Sequence, residues 1–315
     1  MQAHYDAIVI GSGYGGAIAA SRLARMGMKV ALLERGREIA IGDFPDTLAE
    51  AEHEFQVSGP GVGFGDRTAL FDMHVGTDIH VLVGCGLGGT SLINGNVALP
   101  PDPRVWEDPI WPHELLGDAT LDEGYARAMR MLRPLAYPNT VRLDKLARLR
   151  ESAAALDAEM SLPPINVTFT AGSNRAGVVQ PACTLCGDCC SGCNVGAKNT
   201  TQMNYLPDAV NHGAQIFCQS AVSHLQKQAN GWRVFFADQL HGRDAFDAPE
   251  RSITAAIVVL GAGALGSTEI LLRSRDKGLA LSNRLGSSFT GNGDVLAFAY
   301  NNDRPVNGVG VGHPP

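Results

Sequence analysis

The sequence predicts an α/β fold, a Rossmann-like parallel sheet covered by helices with a second, incomplete portion inserted into it, and three observations carry that prediction. The apolar run Ala7-Ile8-Val9-Ile10 ends in Gly11-Ser12-Gly13-Tyr14-Gly15-Gly16 and passes into the alanine-rich stretch Ala17 to Met26, which reads as strand, tight turn and helix. A second strand, Lys29 to Leu33, follows and ends at Glu34-Arg35-Gly36. Late in the chain the device returns as the strand Ala256 to Leu260, the turn Gly261-Ala262-Gly263-Ala264-Leu265-Gly266 and a helix through Leu272. Strands alternating with helices through short turns pack in parallel, with the helices across the sheet faces.

The first turn has the spacing G-x-G-x-x-G, which between a strand and a helix is a dinucleotide site. Gly11 permits the tight turn, Gly13 lets the backbone approach a pyrophosphate, and Gly16 lets the helix pack closely on the strand. Free N–H groups at the helix start then face the anion. The candidate contacts here are Gly11, Gly13, Tyr14, Gly15 and Gly16, together with Glu34, whose carboxylate accepts from the ribose hydroxyls and repels the extra phosphate of NADP. The motif does not separate FAD from NAD. No acid follows Gly266 at the usual distance, so the late turn is expected to lie beside the first and serve close packing around one cofactor.

A chain of 315 residues, 45% of them apolar, has room for two ordinary domains and a large core. Its formal charge of −7, with no compensating run of Lys and Arg, argues against a nucleic-acid surface. The first strand begins too early for a secretory signal to precede it, and no apolar stretch is long enough for a transmembrane segment, so a cytoplasmic location is expected. Five of the seven cysteines crowd between Cys183 and Cys193 instead of being spread as a disulfide framework. The stretch Gly59 to Gly65 reads as a loop, mobile over the site or simply on the surface.

Between the two glycine turns lies Val81-Leu82-Val83-Gly84-Cys85-Gly86-Leu87-Gly88-Gly89-Thr90-Ser91-Leu92-Ile93-Asn94-Gly95-Asn96-Val97, whose small residues allow backbone N–H groups to approach a planar ring. This stretch resembles the first signature of the glucose-methanol-choline (GMC) flavin oxidoreductases, in particular the cholesterol-oxidase-like branch. The resemblance implies FAD, lined by Gly89, Thr90, Asn94, Gly95 and Val97, with the Val222 backbone against the adenine. Trp111-Pro112 and the helical Asp122 to Leu132 resemble the cap region, and Ala197 to Thr201 leads into a helix from Tyr205 to His212. Gly263 to Ser274 resembles the second signature but departs from it at Thr268 and at Arg275-Asp276-Lys277, and Leu285 to Asp294 resembles the return toward the flavin.

The resemblance further implies a discontinuous FAD domain of residues 1–44, 79–99 and 200–294, with 45–78, 100–199 and 295–315 as an incomplete substrate or cap portion. The reaction it implies is oxidation of a CH–OH group of a sterol, sugar or other alcohol, a His taking the hydroxyl proton while hydride passes to the flavin. Family members are longer and carry that His beyond where this sequence stops. The chain is therefore expected to be an amino-terminal part that binds FAD poorly alone, with no catalytic residue assigned and His313 read as an ordinary tail histidine.

Cys183, Cys186, Cys189 and Cys193 have the spacing C-x2-C-x2-C-x3-C, used by ferredoxin iron–sulfur clusters, although Asn194 stands where ferredoxins have Pro. Zinc and plain or disulfide-forming cysteines remain open beside the iron–sulfur reading. With a cluster, electrons would pass from flavin to an acceptor protein. Two functions of different class follow: a flavoenzyme oxidising an alcohol, or a non-catalytic flavin and iron–sulfur electron-transfer subunit that borrows its base from a partner. An NAD-dependent dehydrogenase is a third reading, under which the Gly88 to Val97 loop has no purpose.

Overall fold

Residues 7 to 10 have no water-facing side and form the middle of the largest sheet, because each successive side chain is claimed by a core on the opposite face. The computed structural model describes residues 1–115, 117, 119–239, 249–291, 303, 304 and 306. In chain order its strands are β1 (His4–Ile10), β2 (Val30–Leu33), β3 (Phe55–Gly59), β4 (Val62–Phe64), β5 (Phe71–Val75), β6 (His80–Gly84), β7 (Gly172–Ser173), β8 (Val179–Gln180), β9 (Gln215–Phe217), β10 (Ser220–Gln228), β11 (Gly231–Asp238) and β12 (Arg251–Leu260). The helices are α1 (Tyr14–Arg25), α2 (Leu48–His53), α3 (Ala119–Leu132), α4 (Asp144–Ala155), α5 (Tyr205–Asn211) and α6 (Gly263–Asp276).

The six-stranded sheet runs β10-β11-β12-β1-β2-β9. Strands β12, β1, β2 and β9 are parallel, as the sequence predicts, and β12 lies directly against β1 with Ile10 opposite Leu260. The expectation of a parallel sheet is corrected at one end, where β10 and β11 pair antiparallel with each other and with β12. Their pairing buries Val222, Val234 and Phe236 with Ile8, Ile10 and Ile270 on one face. The other face takes Ala7, Val9 and Leu32 against the small side chains Ala17, Ala20 and Ala24 of α1.

Helices α1 and α5 are pinned together by Asp208, which accepts from Ser21 Oγ at 2.5 Å and Arg25 Nε at 2.9 Å. Burial alone would raise this carboxyl, but the bonds from Arg25 and Ser21 outweigh it and hold its pKa below the usual range.

A second sheet, β4-β3-β5-β6, corrects the reading of Gly59 to Gly65 as a loop. Gly59 pairs with Val62, so only Pro60 and Gly61 turn the chain, and Gly61 takes the φ of +74° that the reversal requires. This sheet also crosses the expected domain boundary between 78 and 79, since His80 to Gly84 pair with Phe71 to Val75. Two arginines after β2 hold it to the first sheet: Arg35 donates to Gln56 Oε1 (3.0 Å), the Arg67 carbonyl (3.1 Å) and Asp72 (2.5 Å), and Arg37 pairs with Glu54. Asn292-Gly293-Asp294, residues 295–302 and His313 lie outside the described residues. Among the described residues no helix is long and apolar enough to cross a membrane.

Candidate functional site

At the first turn, the three glycines assigned different tasks meet different surroundings. A Cβ on Gly11 (φ +91°) would lie 2.5 Å from the Gly261 carbonyl oxygen, and one on Gly16 would lie 2.0 Å from the Gly11 oxygen. Gly261 closes the same contact, its Cβ position falling 2.6 Å from Gly16 Cα. The late turn thus packs against the first. A Cβ on Gly13 or Gly15, in contrast, would meet nothing within 4 Å, so the chain itself gives no reason for glycine there. Gly13 is also the N-cap of α1 and offers no side chain to its first-turn N–H groups, which suits an external anion.

Glu34 sits at the end of β2 with 7% exposure. Its Oε2 accepts from Ser12 N (3.0 Å) and Ser12 Oγ (2.6 Å), and its Oε1 from Gly36 N (2.8 Å). A carboxylate has about four acceptor sites, so positions remain for ribose hydroxyls. Burial pushes its pKa up, and the bonds from Ser12 and Gly36 only partly offset this. Further donors would stabilise the ionised form.

Ser12 occupies a variable position of the motif, and the sequence gives no signal for it, yet it is the junction of the site. Its Oγ accepts from Gly88 N at 2.8 Å, and its carbonyl accepts from Thr201 Oγ at 3.0 Å. Thr201 N donates in turn to Ser91 Oγ at 3.1 Å. Three segments distant in sequence are thereby locked into one wall, and Glu34 joins them through Ser12.

The middle loop closes over α1. A Cβ on Gly89 would lie 2.9 Å from Gly13 Cα, and Thr90 Oγ accepts from Gly84 N at 3.1 Å. Asn94 Nδ2 donates to the Tyr14 hydroxyl at 3.1 Å, while its Oδ1 is buried with no partner among the described residues. Nothing lies within 4 Å of a Cβ on Gly95, and Val97 is 55% exposed. Tyr14, Gly89, Thr90 and Asn94 are therefore brought to the Gly13 turn. Val222 is placed differently: its side chain is buried in the core, two residues after Ser220, whose N–H donates to the Glu34 carbonyl at 2.8 Å.

The four candidate metal ligands, Cys183, Cys186, Cys189 and Cys193, are free thiols and are not drawn into a metal shell. Among the described residues no group of three or more His, Cys, Asp or Glu side chains stands close enough to hold an ion, so an iron–sulfur cluster finds no support. The loop is anchored by other atoms. Asn194 accepts from Phe44 N (2.9 Å) and Gly42 N (3.2 Å) and donates to the Phe44 carbonyl (2.9 Å), and Lys198 Nζ donates to the carbonyl of Cys189. Burial raises the Cys189 thiol to about 11.

The open cradle over Gly13, the spare acceptor sites of Glu34 and the orphaned Asn94 Oδ1 fit a dinucleotide carrying a flavin ring. Residues 5–289 match the GMC oxidoreductase family model. A cholesterol oxidase of Mycobacterium tuberculosis (strain ATCC 25618 / H37Rv) is 29% identical over 302 residues, covering 91% of this chain and 51% of the relative. A cholesterol oxidase of Acinetobacter baumannii is 27% identical, covering 93% and 55%, and a long-chain-alcohol oxidase of Arabidopsis thaliana is 26% identical, covering 70% and 26%. The chain spans about half the length of the cholesterol oxidases it matches.

Proposed function

We propose, from the premise that this chain belongs to the GMC oxidoreductase family, that it binds FAD and serves in the oxidation of an alcohol CH–OH group. The names of its relatives favour a sterol or a long-chain alcohol over a sugar. The observation that carries the proposal is the convergence of Gly13, Glu34 and Asn94 from three segments, each with unused space or hydrogen-bonding capacity.

In this reading the α1 N-terminus and the Gly13 backbone hold the pyrophosphate, Glu34 accepts from the ribose, and the Val222 backbone borders the adenine. Gly89, Thr90, Gly95 and Val97 line the ring, with Asn94 Oδ1 accepting a proton donor on it. Bound FAD supplies a two-electron acceptor for hydride. The residues of this chain bind and orient it, and Tyr14 keeps the Asn94 amide fixed so that its oxygen stays turned to the cofactor. No proton-transfer residue is assigned.

Titrating the purified chain with FAD and separating free from bound flavin by gel filtration tests the proposal. One FAD retained per chain, with binding weakened at least tenfold by Glu34→Gln, is the expected result. A folded chain that retains NAD and excludes FAD would overturn it. The electron-transfer alternative gains nothing from the cysteine loop.

A further inference from the structure

The cysteine loop and the cofactor-lining loop meet at one buried ammonium. Lys198 is 2% exposed, and its Nζ donates to the carbonyls of Leu92 (2.9 Å), Asn94 (2.9 Å) and Cys189 (2.7 Å). All three ammonium protons are used. Among the described residues it pairs with no carboxylate, and the ionisable groups that act on it are the thiols of Cys189, Cys190 and Cys193. A buried cation without a counter-ion is costly, and this one is retained to satisfy carbonyls of two loops about a hundred residues apart in sequence.

The same knot is tied in the backbone. Asn166 N donates to the Asn96 carbonyl, and Asn199 N to the Asn166 carbonyl, each at 2.8 Å. Asn96 holds a φ of +67°, so the segment leading from Asn94 to Val97 has a conformation that needs support from outside itself. Lys198 supplies that support at Asn94, and Asn166 supplies it at Asn96.

We infer that Lys198 is a positioning residue that joins the cysteine loop to the cofactor-lining loop, so that filling the cofactor site shields Cys189, and displacing the Cys189 backbone weakens cofactor binding. The inference rests on the FAD reading above. Ordering the Leu92 to Val97 loop fixes two of the three acceptors of the ammonium, which then holds the third, the Cys189 carbonyl. By linkage the effect runs equally in the other direction. The thiol of Cys190 is exposed and stands outside the clasp.

Pulse alkylation of the whole chain with iodoacetamide, read thiol by thiol by mass spectrometry with and without FAD, tests the inference. Cys85, buried at the start of the same glycine-rich stretch where its N–H donates to the Leu70 carbonyl, is the internal control. FAD is expected to slow alkylation of Cys189 at least tenfold and to leave Cys85 within twofold. In Lys198→Met, Cys189 is expected to react at least tenfold faster without FAD, FAD protection to disappear, and FAD affinity to fall about tenfold. Lys198→Gln, which keeps an amide donor, is expected to fall between the two. Equal Cys189 rates with and without FAD, in wild-type chain that retains FAD, would overturn the inference. So would a rise in Lys198→Met that is uniform across Cys85, Cys189 and Cys218, the mark of general loosening. Flavin retention measured on the same samples separates the two proposals: if no FAD is retained the cofactor reading fails, while the Cys189 rate in the variants still decides whether Lys198 clasps the loop.

Discussion

The first glycine turn and the cysteine loop both carry short, regular motifs, yet spacing constrains the two differently. At the turn, the constraint is backbone against backbone: Gly11, Gly16 and Gly261 exclude one another's Cβ at 2.0 to 2.6 Å, and no side-chain rearrangement relieves that. In the cysteine loop, spacing gives thiols the chance to converge but does not compel it, and the loop is held instead by Asn194 and Lys198. A motif whose meaning lies in the backbone is readable from residue types. One whose meaning lies in where side chains converge is not.

The sharpest way to break this contrast is within the glycine turn itself. Gly16→Ala forces a methyl into the Gly11 carbonyl and should cost about 3 kcal/mol or more, read as a lower urea midpoint. Gly15→Ala meets open space within α1 and should leave the apo chain as stable or better, by about 0.5 kcal/mol, while weakening FAD binding about tenfold. Equal destabilisation by both would mean that Gly15 has a packing role and that the open space is not a ligand cradle.

Asp208→Asn tests whether the small-residue face of α1 needs its polar pin. Removing the charge leaves Ser21 and Arg25 with a weaker acceptor, and about 2 kcal/mol of stability should be lost. Asn194→Ala asks the corresponding question of the cysteine loop. It removes three hydrogen bonds at the rim and should lower stability by about 1 kcal/mol, while alkylation of Cys193 speeds up by about fivefold.

The pH dependence sharpens the contrast further. On the acid side, Asp72 is held low by His74 and Arg35 against the opposing effect of burial, and Asp208 is held low by Arg25 and Ser21. Groups with depressed folded pKa bind fewer protons folded than unfolded, so stability is present above about pH 4 and is lost as pH falls through the folded values. On the alkaline side, burial raises Cys85 and Cys218 to about 12 and Cys189 to about 11, and lowers Lys198 to about 8. Above about pH 8.5 the three thiols keep protons that the unfolded chain releases, whereas Lys198 gives up one that the unfolded chain keeps. Three oppose one. Stability measured by urea unfolding should therefore fall between about pH 8.5 and 11, and Cys85→Ala should make the fall shallower.

The strands β1, β2 and β12 were legible because each contains a continuous apolar run, Ala7 to Ile10, Val30 to Leu33 and Ala256 to Leu260, and the first two are buried along the whole run. The antiparallel pair β10 and β11 has a weaker signal, since polar residues such as Gln226 and Arg233 interrupt it, and its burial pattern emerges only on pairing. Likewise β3 and β4 escape notice because Gly59, Gly61, Gly63 and Gly65 give the stretch the composition of a loop, although a two-residue turn and a partner strand make it a sheet edge. Within the site, Glu34 and Asn94 were visible at their motif positions. Ser12, Ser91, Thr201 and Lys198 were not, because a hydroxyl or an ammonium becomes a junction only when distant carbonyls are carried to it.

By itself, the sequence determined the parallel strands β1, β2 and β12, the glycine turn and its acid, and the family, since each depends on neighbours in the chain and on the absence of a Cβ. The tertiary structure alone decided that the cysteines form no ligand shell and that a buried ammonium joins their loop to the cofactor wall. The physical reason is range: backbone sterics and periodicity act over a few residues, whereas hydrogen bonds from Lys198 and Thr201 connect atoms more than a hundred residues apart, and only folding places them within 3 Å.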